Sequence, residues 1–344
     1  MKAMRQINTR PVILTLFVGL VVSGLMSCAS TREAKKTMTF PEDISQPYLA
    51  LDQVIDGSQE GRKGLLGRSL QFILGSKNKV SLNQPTDMVV DAQGRLLIVE
   101  AEAGIITTFI ETEGIWYIQD RVSVPIIKHP IGIAAGPEQL FVTDLTNGNV
   151  NILNYDLEIT GSIEHAEMIR PAGLHFDLKS NRLFVADPRA NRVFVFSNSG
   201  EILAQIGHEG SSQGRLQSPI SVAVDPINGN IMVLDGIARK IKQYDRDFRF
   251  ISSFGEYDQV PGSFAFPKGI TVAEDGTLFV GDAAFGNVQM FDPSGALLFF
   301  FGETGTGAGQ FLMPRNLFMD KNQRLYVADP YNNRVQVFQY FAQQ

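Results

Sequence analysis

Between Gln323 and Tyr340 an apolar run from Leu325 to Ala328 ends on Asp329. A polar turn through Asn332 and Asn333 follows, and after Arg334 come the apolar Val335, Val337 and Phe338. Short apolar runs separated by turn-forming residues predict two β-strands joined as a hairpin. The same pattern recurs as LFVADPRANRVFVF (183–196), LFVGDAAFGNVQMF (278–291), IMVLDGIARKIKQY (231–244), LFVTDLTNGNVNIL (140–153) and LLIVEAEAGIITTF (96–109), giving six copies.

Two marker columns keep step with the pattern. The first strand of each copy closes on an acidic residue, at Glu100, Asp144, Asp187, Asp235, Asp282 and Asp329, and successive members lie 43 to 48 residues apart. A proline precedes each hairpin, at Pro85, Pro130, Pro171, Pro219, Pro267 and Pro314. A period near 45 residues with several short strands per unit predicts an all-β, six-bladed β-propeller of four-stranded antiparallel blades. Each proline is expected to open an innermost strand, and sequences such as VFVF and LLFFF are expected to pack on both faces between neighbouring blades. On that ground Phe299, Phe300 and Phe301 are assigned to the core. The last repeat stops after a third strand at about Tyr340, so an amino-terminal strand must complete it. Leu70 to Leu74 has the matching apolar character and is expected to pair beside Arg334 to Phe338.

The acidic column reads as structural. Four residues after each acidic residue stand Gly104, Gly148, Asn191, Arg239, Gly286 and Asn333, and five of these six tolerate a left-handed backbone. The following residue is often a donor, as at Arg192, Lys240 and Arg334, which suggests a clamp across the hairpin at Asp144, Asp187, Asp235, Asp282 and Asp329. The glycine-rich stretch Gly305 to Gly309 is followed by no Lys-Ser/Thr pair, and it parallels loops at 207–214 and 255–262, so it reads as an interblade connector.

The run Pro267-Lys268-Gly269-Ile270, the segments Leu325 to Asp329 and Asn333 to Phe338, and Phe301-Gly302 with a loop ending Gly309-Gln310-Phe311 together resemble the NHL repeat. The resemblance covers roughly residues 70–340 and matches least in the first blade, which has Glu100 for Asp and Ile105 for Arg or Asn. It implies a six-bladed propeller and leaves function open, because propellers of this kind serve both as binding platforms and as enzymes.

Composition matters most at the amino terminus. Lys2, Arg5 and Arg10 precede an apolar run from Pro11 to Met26, too short for a typical membrane span of about 20 residues but suited to a signal segment. Leu25-Met26-Ser27-Cys28 resembles the bacterial lipobox, which implies acylation of Cys28 and cleavage after residue 27. The domain plan is then a signal peptide at 1–27, a lipidated tether at 28–50 and a propeller at 51–344. Cys28 is the single cysteine, so no disulfide is available. Ala29 resembles the residue found at that position in lipoproteins sent to the outer membrane, which implies a bacterial cell envelope location. Removing 1–27 leaves 27 basic against 36 acidic residues, a net charge of −9, and excludes a nucleic-acid partner by charge.

Residues beside the prolines vary from blade to blade and surround one mouth of the central channel. Lys128, His129, Arg170, Lys268 and Arg315, with Asp87 in the first blade, form a local reversal of sign on an acidic chain, a candidate rim for a carboxylate ligand or an acidic partner. His165, His175 and His208 share no spacing with His129, and no metal or cofactor is expected. The peptidyl-hydroxyglycine lyases resemble NHL propellers but carry several channel histidines, where this chain has His129. The gluconolactonase type carries a quartet of which Asp87 and Asn316 are the matching members. The resulting expectation is a lipid-anchored binding platform for a protein or extracellular ligand that is not an enzyme. The alternative is a propeller hydrolase or lyase with a metal or polar site in its channel.

Overall fold

The computed structural model describes residues 37–42, 45–58, 81–207, 212–258 and 260–342, all within Thr37–Gln344, one of the two compact units into which the chain divides. Six antiparallel sheets stand in ring order, five with four strands and the last with five. Blade one runs from its innermost strand outward as Pro85–Val90, Leu96–Glu100, Ile105–Thr112 and Ile115–Ser123. The innermost strands of the other blades are Pro130–Ala135, Leu174–Asp177, Pro219–Val224, Pro267–Val272 and Leu317–Met319. The regular helix among the described residues is confined to three 3-10 turns.

The apolar pattern positions each sheet as a wedge. The second and third strands of the blades are almost wholly buried, as in Leu183–Phe196 and Leu278–Phe291, because both faces touch a neighbouring blade. The core is therefore six layers, each lying between two blades. One layer joins Phe141 and Val150 of blade two to Val185 and Phe194 of blade three. Another joins Tyr326 and Val337 of blade six to Leu96, Phe109 and Trp116 of blade one, and so seals the ring. The outermost strands are half-solvated. Phe301 is buried and Phe299 stacks on Tyr48 with ring centroids 5.3 Å apart, but Phe300 is exposed, which corrects its assignment to the core.

Ring closure by an amino-terminal strand is present, but the strand is Leu49–Ile55. It pairs antiparallel with Arg334–Tyr340 from Leu49↔Tyr340 to Ile55↔Val335. A register shift between Leu51 and Gln53 skips Asp52 and turns Leu49 into the layer against blade five and Ile55 into the layer against blade one, where both are fully buried. Thr39–Phe40 adds a further short strand, and Phe40 packs on Phe301 and Phe338. Part of the stretch expected to be tether, 28–50, is thus strand. The segment Leu70 to Leu74, which the sequence pattern offers for closure, lies outside the described residues, as do the signal segment and Cys28.

The hairpin turns follow the sequence pattern closely. All six residues four positions after the acidic column are left-handed, with φ between 52° and 69°, including Arg239. The acidic residues themselves are satisfied mainly by backbone amides. Asp187 accepts from the N–H groups of Ile169, Arg170, Arg189 and Ala190, so one carboxylate fixes both its own turn and the loop entering the blade. The donor five positions on closes a clamp at Arg334, whose Nε lies 2.8 Å from Asp329. Arg192 instead reaches Gln205 and Glu167, and the cation that meets Asp235 is Lys242 at 3.3 Å. In blade one the longer Glu100 takes the N–H of Asn83 and pairs with Arg121 at 2.7 Å.

Candidate functional site

The proline column marks a break in each innermost strand. Pairing shifts register between Pro85 and Asp87, Pro130 and Ile133, Pro219 and Ser221, and Pro267 and Gly269. In blades three and six the regular strand begins three residues after the proline, although the amides of Ala172 and Arg315 still reach the second strand. Proline cannot donate to the ladder, and the bulge beside it re-aims the next side chain. The residues directly after the six prolines are Thr86, Ile131, Ala172, Ile220, Lys268 and Arg315, and all six line one cavity of about 160 Å³ at the channel mouth.

The second residue after the proline faces the next blade. At Gly173 and Gly269 an added Cβ would come within 2.5 to 2.7 Å of the next blade's backbone, so at those places neighbouring innermost strands pack backbone against backbone. Blades one and six carry polar side chains there, Asp87 and Asn316, and both line the cavity. Asp87 is 3% exposed. Its Oδ1 accepts from the Met88 N–H at 2.8 Å and from Asn316 Nδ2 at 2.6 Å, and its Oδ2 accepts from the Ile133 N–H at 2.9 Å. One carboxyl therefore ties blade one to blades two and six. Burial pushes its pKa up to about 7, against the three donors, which favour the charged form.

Lys268 and Arg315 supply the positive side of the mouth. The Lys268 ammonium sits 3.5 Å from the centre of the Phe266 ring. Burial, with the Arg315 charge nearby, lowers its pKa. Asn316 spends its amide N–H on Asp87, and its buried Oδ1 has no partner. The mouth thus combines a carboxyl that titrates near neutrality with two cations and an unspent acceptor.

Of the six rim candidates, Asp87, Lys268 and Arg315 line this cavity, and Lys128, His129 and Arg170 do not. The last three precede their prolines, where the backbone is held by the acidic column: the amides of Lys128 and His129 bond Asp144, and that of Arg170 bonds Asp187. The described histidines do not gather into one metal-holding group. His165 accepts from the Glu167 N–H and packs on Phe194. His175 lines a larger cavity of about 460 Å³ at the opposite mouth, where burial lowers the pKa of its imidazole. His208 lies outside the described residues. Among the described residues no three His, Cys, Asp or Glu side chains converge as a metal site would require, so a histidine-ligated metal of the lyase kind does not fit them.

The model of a family described as a 6-bladed beta-propeller, DUF5128, matches residues 176–259. Peptidyl-glycine alpha-amidating monooxygenases A and B of Xenopus laevis are each 34% identical to this chain over 122 residues, a third of its length. The match spans 13% and 14% of those proteins. Among solved structures, a streptogramin B lyase superposes with a TM-score of 0.54 at 14% identity, covering 74% of this chain and 78% of the lyase. The virginiamycin B lyase of Staphylococcus aureus gives 0.54 at 12% identity, with 75% and 96% coverage. The fold is a six-bladed propeller. The expectation that the chain is not an enzyme is overturned, because the relatives it matches in sequence carry the names of enzymes. That expectation rests on the lone channel histidine His129 and on a quartet matched only at Asp87 and Asn316, counts that carry no information on how burial sets the charge of Asp87.

Proposed function

We propose that the chain is a propeller enzyme of the hydrolase or lyase kind, with the mouth cavity as its active site and a substrate that carries an anionic group. The observation that carries this reading is the placement of Asp87, a buried carboxyl with a pKa of about 7, in one small cavity with Lys268, Arg315 and Asn316. A carboxylate in that range takes a proton efficiently at neutral pH. In this reading Asp87 removes a proton from a substrate hydroxyl or from water, Arg315 and Lys268 hold the anionic group, and the free Asn316 Oδ1 accepts from a substrate N–H or O–H. The sequence relatives carry an enzyme's name, that of a monooxygenase, and two neighbours alike in fold carry lyase titles. The lipobox-like Leu25 to Cys28 supports a lipid-anchored position in the cell envelope.

The test is turnover of a panel of peptides ending in α-hydroxyglycine, lactones and streptogramin B antibiotics by the purified full chain. Asp87→Asn is expected to lower kcat/KM by about 10²- to 10⁴-fold on whichever class is turned over. Arg315→Gln is expected to raise KM with a smaller effect on kcat. Full activity in Asp87→Asn would overturn the assignment of the mouth.

A further inference from the structure

The mouth-side face carries exposed apolar side chains in a pattern that neither folding nor the cavity accounts for. Ile126, Ile169, Ile237, Phe266, Met313 and Tyr331 are 38% to 67% exposed. They come from five of the six blades, and each lies in a loop entering a blade or in the turn after its acidic residue. Those loops and turns share one face, since the same aspartates bind the amides of both, as Asp235 does for Ser218 and Ala238 and Asp282 for Phe266 and Ala284.

A basic residue stands within two positions of one apolar group in each of these blades: Lys128, Arg170, Arg239, Lys268 and Arg315. Arg239 lies over the ring of Tyr257, itself exposed on the same face. All five aspartates of the acidic column have no exposed area; the exposed acids on the same loops are Glu164, Glu167, Glu256, Asp258 and Glu303, of which Glu167 pairs with Arg192 at 3.0 Å. Blade one departs from the pattern, with Asn83, Gln84 and the exposed Glu102 at the corresponding places.

The apolar groups are distributed over blades two to six, one or more to each, and are not gathered into a groove. A groove suits a peptide, whereas a ring of apolar tips alternating with cations suits a planar, negatively charged, partly apolar surface. We infer that the mouth-side face docks on an anionic lipid bilayer, with the isoleucine, methionine and aromatic tips entering the boundary between headgroups and acyl chains and the neighbouring cations meeting the headgroups. Docked in this way the Asp87 cavity opens onto the lipid interface. The inference rests on the surface pattern and stands whether or not the cavity is catalytic.

The single cysteine allows a direct test. In a Cys28→Ser background, Tyr331→Cys places an environment-sensitive fluorophore on the mouth-side face, and Ile227→Cys, in a turn at the far end of an innermost strand, places one on the opposite face. Vesicles of phosphatidylcholine with phosphatidylglycerol are expected to shift the emission of the label at 331 to the blue and to leave that at 227 unchanged. Pure phosphatidylcholine is expected to do neither, and the shift is expected to shrink with added salt. Comparing the two labels separates docking of this face from capture through the amino-terminal segment. Equal shifts at both positions, or no shift at 331, would overturn the inference. A shift at 331 with an acidic apolar peptide but not with vesicles would overturn it in favour of a protein partner.

Discussion

Asp187 shows why an acidic residue recurs in every blade. It has no exposed area and accepts four backbone N–H groups, two from the loop entering blade three and two from the turn of its own hairpin. Asp187→Ala leaves those donors buried with no acceptor, at a cost of about 1–3 kcal/mol for each one that water cannot reach. A loss of at least about 3 kcal/mol is expected in chemical denaturation, and a loss under about 1 kcal/mol would show that the loop amides find other acceptors. Asp87 has a different logic. Its partners lie in three blades, and its burial leaves a carboxyl that changes charge near neutral pH. The sequence marked Asp87 as the acidic exception on a basic rim, but its titration was not legible there, because it depends on how deeply the bulge after Pro85 turns the side chain inward.

At the scale of elements, the period of the acidic and proline columns made blade number, strand order and turn positions readable in advance. The closing strand was not readable. Leu70 to Leu74 is the more continuous apolar run, whereas Leu49–Ile55 carries Asp52 and Gln53 in its middle and looks like linker until the register shift at Leu51 is known. Strand choice there is decided by two anchors, Leu49 and Ile55, and by a free edge on Arg334–Tyr340. Deleting residues 37–58 should therefore expose that edge, with loss of soluble, cooperatively folding protein. Leu49→Ala alone should cost about 2–5 kcal/mol. A cooperative thermal transition at an unchanged Tm in the deletion variant would refute closure by this strand. The strand breaks after the six prolines were equally hidden, since a bulge is a property of pairing between strands, yet they explain why the residue after the proline faces the channel and the residue before it does not.

At the scale of the whole molecule, six wedges of sheet bring six equivalent positions to one axis, and the differences among them make the site. Thr86, Ile131, Ala172 and Ile220 form a neutral arc, while Lys268 and Arg315 are adjacent on the other side, next to Asn316 and Asp87. Charge and titration are thus concentrated where blades five, six and one meet. The central claim is that Asp87 acts there as a base, and the pH dependence of kcat/KM tests it most directly on a substrate found in the panel. A group with a pKa raised to about 7 is protonated below that value and carries its charge above it. The rate is predicted to rise with pH through about 7 and level off above it, and Asp87→Asn is predicted to remove that rise. A profile flat from pH 5 to 9 in the unaltered protein, or the same rise near pH 7 persisting in Asp87→Asn, would contradict it.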